Sequence, residues 1–224
     1  LNQPLNVIKL TASSLSGRLR AGGTAPDEAA RQLSTMVQQV DRAAKLITHL
    51  RAFGRTPDQA VSNFDVAGAI EGARSLVAAA LATDRIDLEL EILAEDAIAK
   101  GQATLLEQVL VNLVLNARDS IKQRQSREPG LKGLVVLTLR KLPDRRLSIV
   151  VDDNGTGIPA SSMEHLFEPF FTTKPVGKGT GLGLSVSYGI IKSMNGTIEA
   201  SSIGMGARFE ITLPEAAVAT SALA

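Results

Sequence analysis

The residues best suited to chemistry crowd between Asp153 and Leu184. Asp153-Asn-Gly-Thr-Gly157 comes first, then Phe167-Glu-Pro-Phe-Phe-Thr-Thr-Lys174, then Gly177-Lys-Gly-Thr-Gly-Leu-Gly-Leu184. Two glycine clusters bracket an aromatic and basic segment, which leaves the segment free to move while its ends bind a ligand. Upstream, Asn112 and Asn116 stand four residues apart in a helix-like run, with Asp119 on the same stripe, so all three project from one face. Magnesium takes few protein oxygens and completes its shell with phosphate and water, so a single amide oxygen from Asn116 is enough. Asp153 follows a run of Ile and Val, where its carboxylate can accept a hydrogen bond from the exocyclic amine of adenine. Gly177 to Gly183 holds four glycines in seven residues directly before a predicted helix, a backbone arrangement that binds anions. Together these groups describe a site for ATP with magnesium.

Taken singly, each signal has a plainer reading. Two asparagines at that spacing also make a solvated helix face, and Asp-Asn-Gly is also a common turn. The glycine run lacks the Gly-Lys-Ser/Thr ending of a P-loop, and no strand feeds it as a dinucleotide-binding fold requires. Three of the six phenylalanines lie at 167, 170 and 171. They fit a lid that docks on a neighbouring surface, and equally a loop anchored by core aromatics.

The elements that must position these groups follow from periodicity. Leu1, Leu5, Ile8, Ala12, Leu15 and Leu19 recur at alternating spacings of four and three, as do Leu33, Val37, Val40, Ala44, Ile47 and Leu50. Residues 1–53 therefore read as a helical hairpin, joined by Ala21-Gly-Gly-Thr-Ala-Pro-Asp27, that buries too little surface alone. A four-helix bundle made by dimerisation is expected, with a hairpin packed on the rest of the chain as the alternative. Residues 54–63, with Pro57, read as a linker, and 64–214 as one α/β sandwich. Within it helices are expected over 66–81, 103–121 and 182–194, and strands over 86–92, 134–139, 147–151, 197–201 and 207–213. Residues 215–224 read as a frayed tail. The fold class is α+β.

Lys+Arg 24 against Asp+Glu 23 gives a net charge of +1, and aromatics make up 3% of the chain. A nucleic-acid partner is therefore not expected, for want of both a basic field and stacking platforms. No cysteine is present, which fits a reducing compartment. No apolar run reaches the ~18 residues that cross a bilayer, so the expectation is a soluble, cytoplasmic chain. The chain starts inside a helical pattern, which leaves open that it is the cytoplasmic portion of a membrane-anchored bacterial sensor.

In combination and order, Asn112…Asn116, Asp153-x-Gly-x-Gly, Phe-Glu-Pro-Phe-Phe and Gly-x-Gly-Leu-Gly-Leu resemble the N, first glycine, F and second glycine boxes of sensor histidine kinases. Their ATP-binding fold is shared with gyrase and MutL. Leu1-Asn-Gln-Pro-Leu5 is similar to the end of the family's H box, and Phe171-Thr-Thr-Lys174 with the glycines after it resembles the nitrogen-regulation and dicarboxylate-sensing branch. The resemblance implies that Asp153 holds the adenine amine, Asn116 ligates magnesium, and Asn112 contacts the phosphates or the metal shell. It implies further nucleotide contacts from Asp119, Gly155, Gly157, Ile158, Phe170, Gly179, Thr180, Gly181, Leu182, Gly183 and Leu184, and a water-mediated one from Thr212. Lys174 would meet the phosphates and stabilise charge on the transferred group.

The same resemblance implies a homodimer through residues 1–53 and a response regulator receiver domain as partner. It puts the phosphoacceptor histidine two residues before Leu1, which leaves His49 and His165 outside that role. Gln3 falls where the family often places the Thr or Asn implicated in regulator dephosphorylation, so a phosphatase role for Gln3 stays open. A gyrase- or MutL-type ATPase needs a glutamate where this chain has Asn112. An anti-sigma serine kinase would lack the helix pair of residues 1–53.

Overall fold

The computed structural model describes residues 2–20, 25–37, 40, 61–174 and 179–216. The chain divides into two compact units, Leu1–Arg55 and Thr56–Ala224. In the first, α1 (Asn2–Arg20) is followed by a helical run over 26–37 (α2) that opens with Pro26, a residue whose fixed φ and missing N–H suit the first helical position. Arg18 and Glu28 pair between the two helices. Leu15 is buried, whereas Leu10, Leu19, Leu33, Val37 and Val40 are exposed. The predicted seam residues Leu33, Val37 and Val40 thus lie uncovered in a single chain. Ala44, Ile47, Leu50 and His49 fall outside the described residues, as do the side chains of Leu1, Gln3 and Leu5.

The second unit opens with β1 (Ser62–Asp65), so the last residues of the expected linker are strand. Then come α3 (Val66–Thr83), β2 (Ile86–Ile92), β3 (Ile98–Gly101), α4 (Ala103–Gln125), β4 (Gly133–Leu142) and β5 (Arg146–Asp153). A 3₁₀ segment, Ala160–His165, precedes α5 (Gly183–Ser193), β6 (Thr197–Ile203) and β7 (Gly206–Pro214). The main sheet has the order β2-β4-β5-β7-β6, parallel only between β2 and β4, while β1 and β3 form a separate antiparallel pair. The architecture is mixed α+β, as the sequence suggests.

Alternation along the central strands sets the layers. Val135, Leu137 and Leu139 on β4, Leu147, Ile149 and Val151 on β5, and Phe209, Ile211 and Leu213 on β7 point to one side and are buried. Leu106, Leu110, Leu113 and Ile121 of α4, Ile70, Val77 and Leu81 of α3, and Ile191 of α5 are buried with them. The opposite sheet face carries charged pairs: Arg208 grips Asp152 at 2.6 and 2.7 Å, and Glu210 accepts from Ser148 at 2.5 Å and Arg140 at 3.1 Å. Contrary to expectation, α3 is long and apolar enough to match a membrane span by composition. It is a core helix, with Val66, Ala69, Ile70, Ala73, Val77 and Leu81 all buried.

The expected frayed tail is shortened. The Glu215 amide donates to the Arg145 carbonyl at 2.9 Å and the Ala216 amide to the Ile98 carbonyl at 2.8 Å, which joins residues 215–216 to the fold. At the front of the unit, Asp65 caps α3 by accepting from the amides of Ala67 at 3.1 Å and Gly68 at 3.0 Å. Loss of such a cap costs ~1 kcal/mol. Asp65→Ala is expected to lower the unfolding free energy of this unit by that amount in a urea titration; unchanged stability would show that the cap contributes nothing.

Candidate functional site

Asp153 ends the inward column of β5, where Leu147, Ile149 and Val151 precede it, and it is 7% exposed. Burial pushes its carboxyl above the ordinary 3.8, and the amides of Gly155 and Ala207 offset part of that cost. Both hydrogen bonds end on Oδ1, from Gly155 at 2.7 Å and Ala207 at 3.4 Å. No hydrogen bond to Oδ2 is seen among the described residues, which leaves one oxygen of this largely buried side chain open to a ligand.

The glycines around Asp153 are required by close contacts with protein, a constraint sequence reasoning assigned to ligand approach. A Cβ on Gly155 would stand 2.3 Å from Ser120 Oγ, and one on Gly206 would stand 1.7 Å from the Asp153 carbonyl oxygen. Ile158 is held from β6, its amide donating to Ser202 Oγ at 3.2 Å and its carbonyl accepting from the same hydroxyl at 3.1 Å. Ser120, Ser202 and Ala207 gave no signal in the sequence, since serine and alanine carry no motif.

The amide stripe of α4 serves two separate partners. Asn112 Nδ2 donates to Ser187 Oγ at 3.0 Å, and its Oδ1 lies where a Cβ on Gly183 would be only 2.4 Å away. Asn112 thus touches α5 both at its first residue and one turn further in. Asn116 Oδ1 accepts from Lys174 Nζ at 3.3 Å, and Asp119 Oδ2 takes the same ammonium at 2.5 Å. An oxygen that already faces a cation fits the coordination preference of magnesium. The α5 N-terminus begins at Gly183 after the N-cap Leu182, and among the described residues no side chain caps it; helix-start amides of this kind suit an anion.

Phe170 is 72% exposed at φ 69, a left-handed conformation uncommon for a bulky residue. Its amide donates to the Gly181 carbonyl at 2.8 Å, and the close main-chain packing there leaves no room for a Cβ on Gly181. Phe167 instead meets Tyr188 of α5 with ring centroids 5.6 Å apart. Gly157 lies against the carbonyls of Met205 and Gly206, Gly179 against Thr172 and Lys174, and Thr180 Oγ1 accepts from the Leu182 amide at 3.4 Å. Leu184 lies in the first turn of α5.

Thr212 does not join the site. It pairs with Ser148 and Thr197, five positions along β7 from Ala207, or ~17 Å at the rise of a strand. The Ala207 amide is the group of β7 that reaches Asp153. His165 is exposed at the end of the 3₁₀ segment and bonds Glu168 at 2.9 Å, which raises its pKa.

Residues 101–217 match the family model described as histidine kinase-, DNA gyrase B- and HSP90-like ATPase. The two-component sensor PprA of Pseudomonas aeruginosa is 38% identical over 222 residues, covering 98% of this chain and 24% of its own length. The sensor kinase CckA of Brucella abortus is 38% identical over 220 residues, covering 95% of this chain and 23% of its own. The chain thus spans about a quarter of these relatives. The solved catalytic domain of the histidine kinase ThkA superposes with a TM-score of 0.60 at 29% identity, over 70% of this chain and 97% of that one.

The raised Asp153 value has a sign that can be measured. The folded chain holds this proton more tightly than the unfolded chain, so the contribution to stability is full below the ordinary 3.8 and is lost as pH rises through the raised value. Asp153→Asn is therefore expected to be more stable than the parent at neutral pH, with the difference shrinking towards the ordinary aspartate value. Chemical unfolding across that range tests it, and equal stability at neutral pH would contradict the burial argument.

Proposed function

The chain belongs to the histidine kinase-, DNA gyrase B- and HSP90-like ATPase family, and from that membership we propose that it is the catalytic core of a sensor histidine kinase of a two-component system. The observation that carries the proposal is the shared use of α4. Asn116 with Lys174, Asn112 with the start of α5, and the loop after Asp153 all meet this one helix. Between residues 112 and 120 the helix rises ~12 Å, the separation this reading requires between an acid that would read the base and a helix start that would meet the phosphates.

In this reading Asp153 Oδ2 accepts the adenine amine, and the uncapped α5 amides face the phosphates. Lys174 leaves Asn116 and Asp119 to neutralise charge on the transferred group. Asn116 Oδ1 is the group that would hold magnesium, whose charge offsets that of the phosphates when it is bound. The γ-phosphoryl group moves from ATP to a histidine ring nitrogen with ADP as leaving group, and then to an aspartate carboxylate of a response regulator. The exposed Leu33, Val37 and Val40 support a homodimer in which a second copy covers them, completing a four-helix bundle. The kinase core would work in the cytoplasm, with Gln3 near the acceptor as a candidate for regulator dephosphorylation.

Two experiments test this. Residues 1–224 should bind ATP with magnesium yet take up no acid-labile, alkali-stable phosphate from labelled ATP, whereas a chain extended upstream through the expected acceptor should be labelled. Labelling of His49 or His165 would refute the placement of the acceptor. Light scattering should give about twice the 23.6 kDa chain mass. Val40→Glu should shift the chain to monomer, and a monomeric parent at micromolar concentration would refute the bundle.

A further inference from the structure

Asp153 can select a base only if its free oxygen is aimed, and the peptide after it does the aiming. The Gly155 amide on Oδ1 sets the plane of the carboxylate. The peptide that joins Gly155 to Thr156 is itself held from α4: the Thr156 amide donates to Ser120 Oγ at 2.9 Å, and the two hydroxyls lie 3.2 Å apart. One turn further along α4, Arg124 donates to the Asn154 carbonyl at 2.9 Å while its other nitrogens hold Glu128 at 3.1 and 3.2 Å. Asn154 in turn accepts from the Leu134 amide at 2.9 Å and donates to the Lys132 carbonyl at 2.8 Å. Each peptide of the loop next to the acid therefore has a fixed partner.

We propose that Ser120, with Arg124 behind it, is a positioning residue for adenine recognition, acting through the Gly155–Thr156 peptide on Asp153. The inference rests on the reading of Asp153 as the acceptor of the adenine amine. Ser120 lies one turn from Asn116, so the helix that would hold the metal also orients the base-reading acid. Without its hydroxyl the Thr156 amide has no acceptor, the peptide is free to turn, and Oδ2 loses its alignment while the apolar column beneath stays intact.

Titration calorimetry with ATP and with ITP, which carries a carbonyl oxygen where adenine has its amine, separates positioning from general stability. The parent should prefer ATP. Ser120→Ala should weaken ATP about fivefold, the loss of one hydrogen bond, and leave ITP nearly unchanged, so that the ATP/ITP ratio falls. Arg124→Met should lower the ratio in the same direction and serves as the second test if Ser120→Ala does not fold. Equal weakening of both nucleotides, or a lower melting temperature with an unchanged ratio, would overturn the positioning role. If the parent shows no preference for ATP while Ser120→Ala folds normally, the reading of Asp153 is the part that fails, and the proposal falls with it.

Discussion

An acid occupies the place of the next aliphatic side chain in the column Leu147, Ile149, Val151, and the loss of hydration it suffers there must be offset by groups brought from elsewhere. The amides of Gly155 and Ala207 supply that compensation from two directions. Neither can reach the carboxylate unless the chain comes close, which explains glycine at 155, against Ser120, and at 206, against the Asp153 carbonyl. The neighbouring Asp152 shows the contrast. One residue earlier in the strand it points to the opposite face and meets the Arg208 guanidinium, so two adjacent carboxylates have opposite surroundings through strand alternation alone.

The second organising feature is α4, a helix held rigid by Leu106, Leu110, Leu113 and Ile121 on its buried side. Asn112, Asn116, Ser120 and Arg124 follow at four-residue steps, and each meets a different segment: α5, Lys174, the Gly155–Thr156 peptide and Asn154. Four residues advance the helix by slightly more than one turn, so the stripe drifts gently around the axis. Segments far apart in sequence are thereby registered against one another by a single rigid body. Asp84, after α3, receives Arg118 and Lys122 from the same helix, which fixes α4 against its neighbour.

The strongly periodic parts of this architecture were legible in the sequence. The alternation of Ile86 to Ile92 and the broad apolar face of α4 specify their elements because one face of each is buried. The short strands β1 and β3 were not, since four residues such as Ser62–Asp65 carry no period to read. Around the candidate site, glycine, asparagine, aspartate and lysine stand out by type, and of these Asn116 and Lys174 do meet in the structure. The partners that hold them do not stand out in this way. Ser120 and Ser202 act through geometry fixed by long-range packing, and Ala207 acts only through its backbone. Thr212 was misplaced because a strand's end in sequence need not lie at the end of the sheet nearest the site.

One main-chain bond, from the Phe170 amide to the Gly181 carbonyl, joins two positions eleven residues apart in the chain. It brings Phe170 and Gly181 together as a pair of anchor points beside α5. Chain-closure entropy grows only with the logarithm of length, about 0.6 kcal/mol for each doubling. A change in chain length between Lys174 and Gly179 would therefore cost little at this bond, while Lys174 keeps its contacts with Asn116 and Asp119.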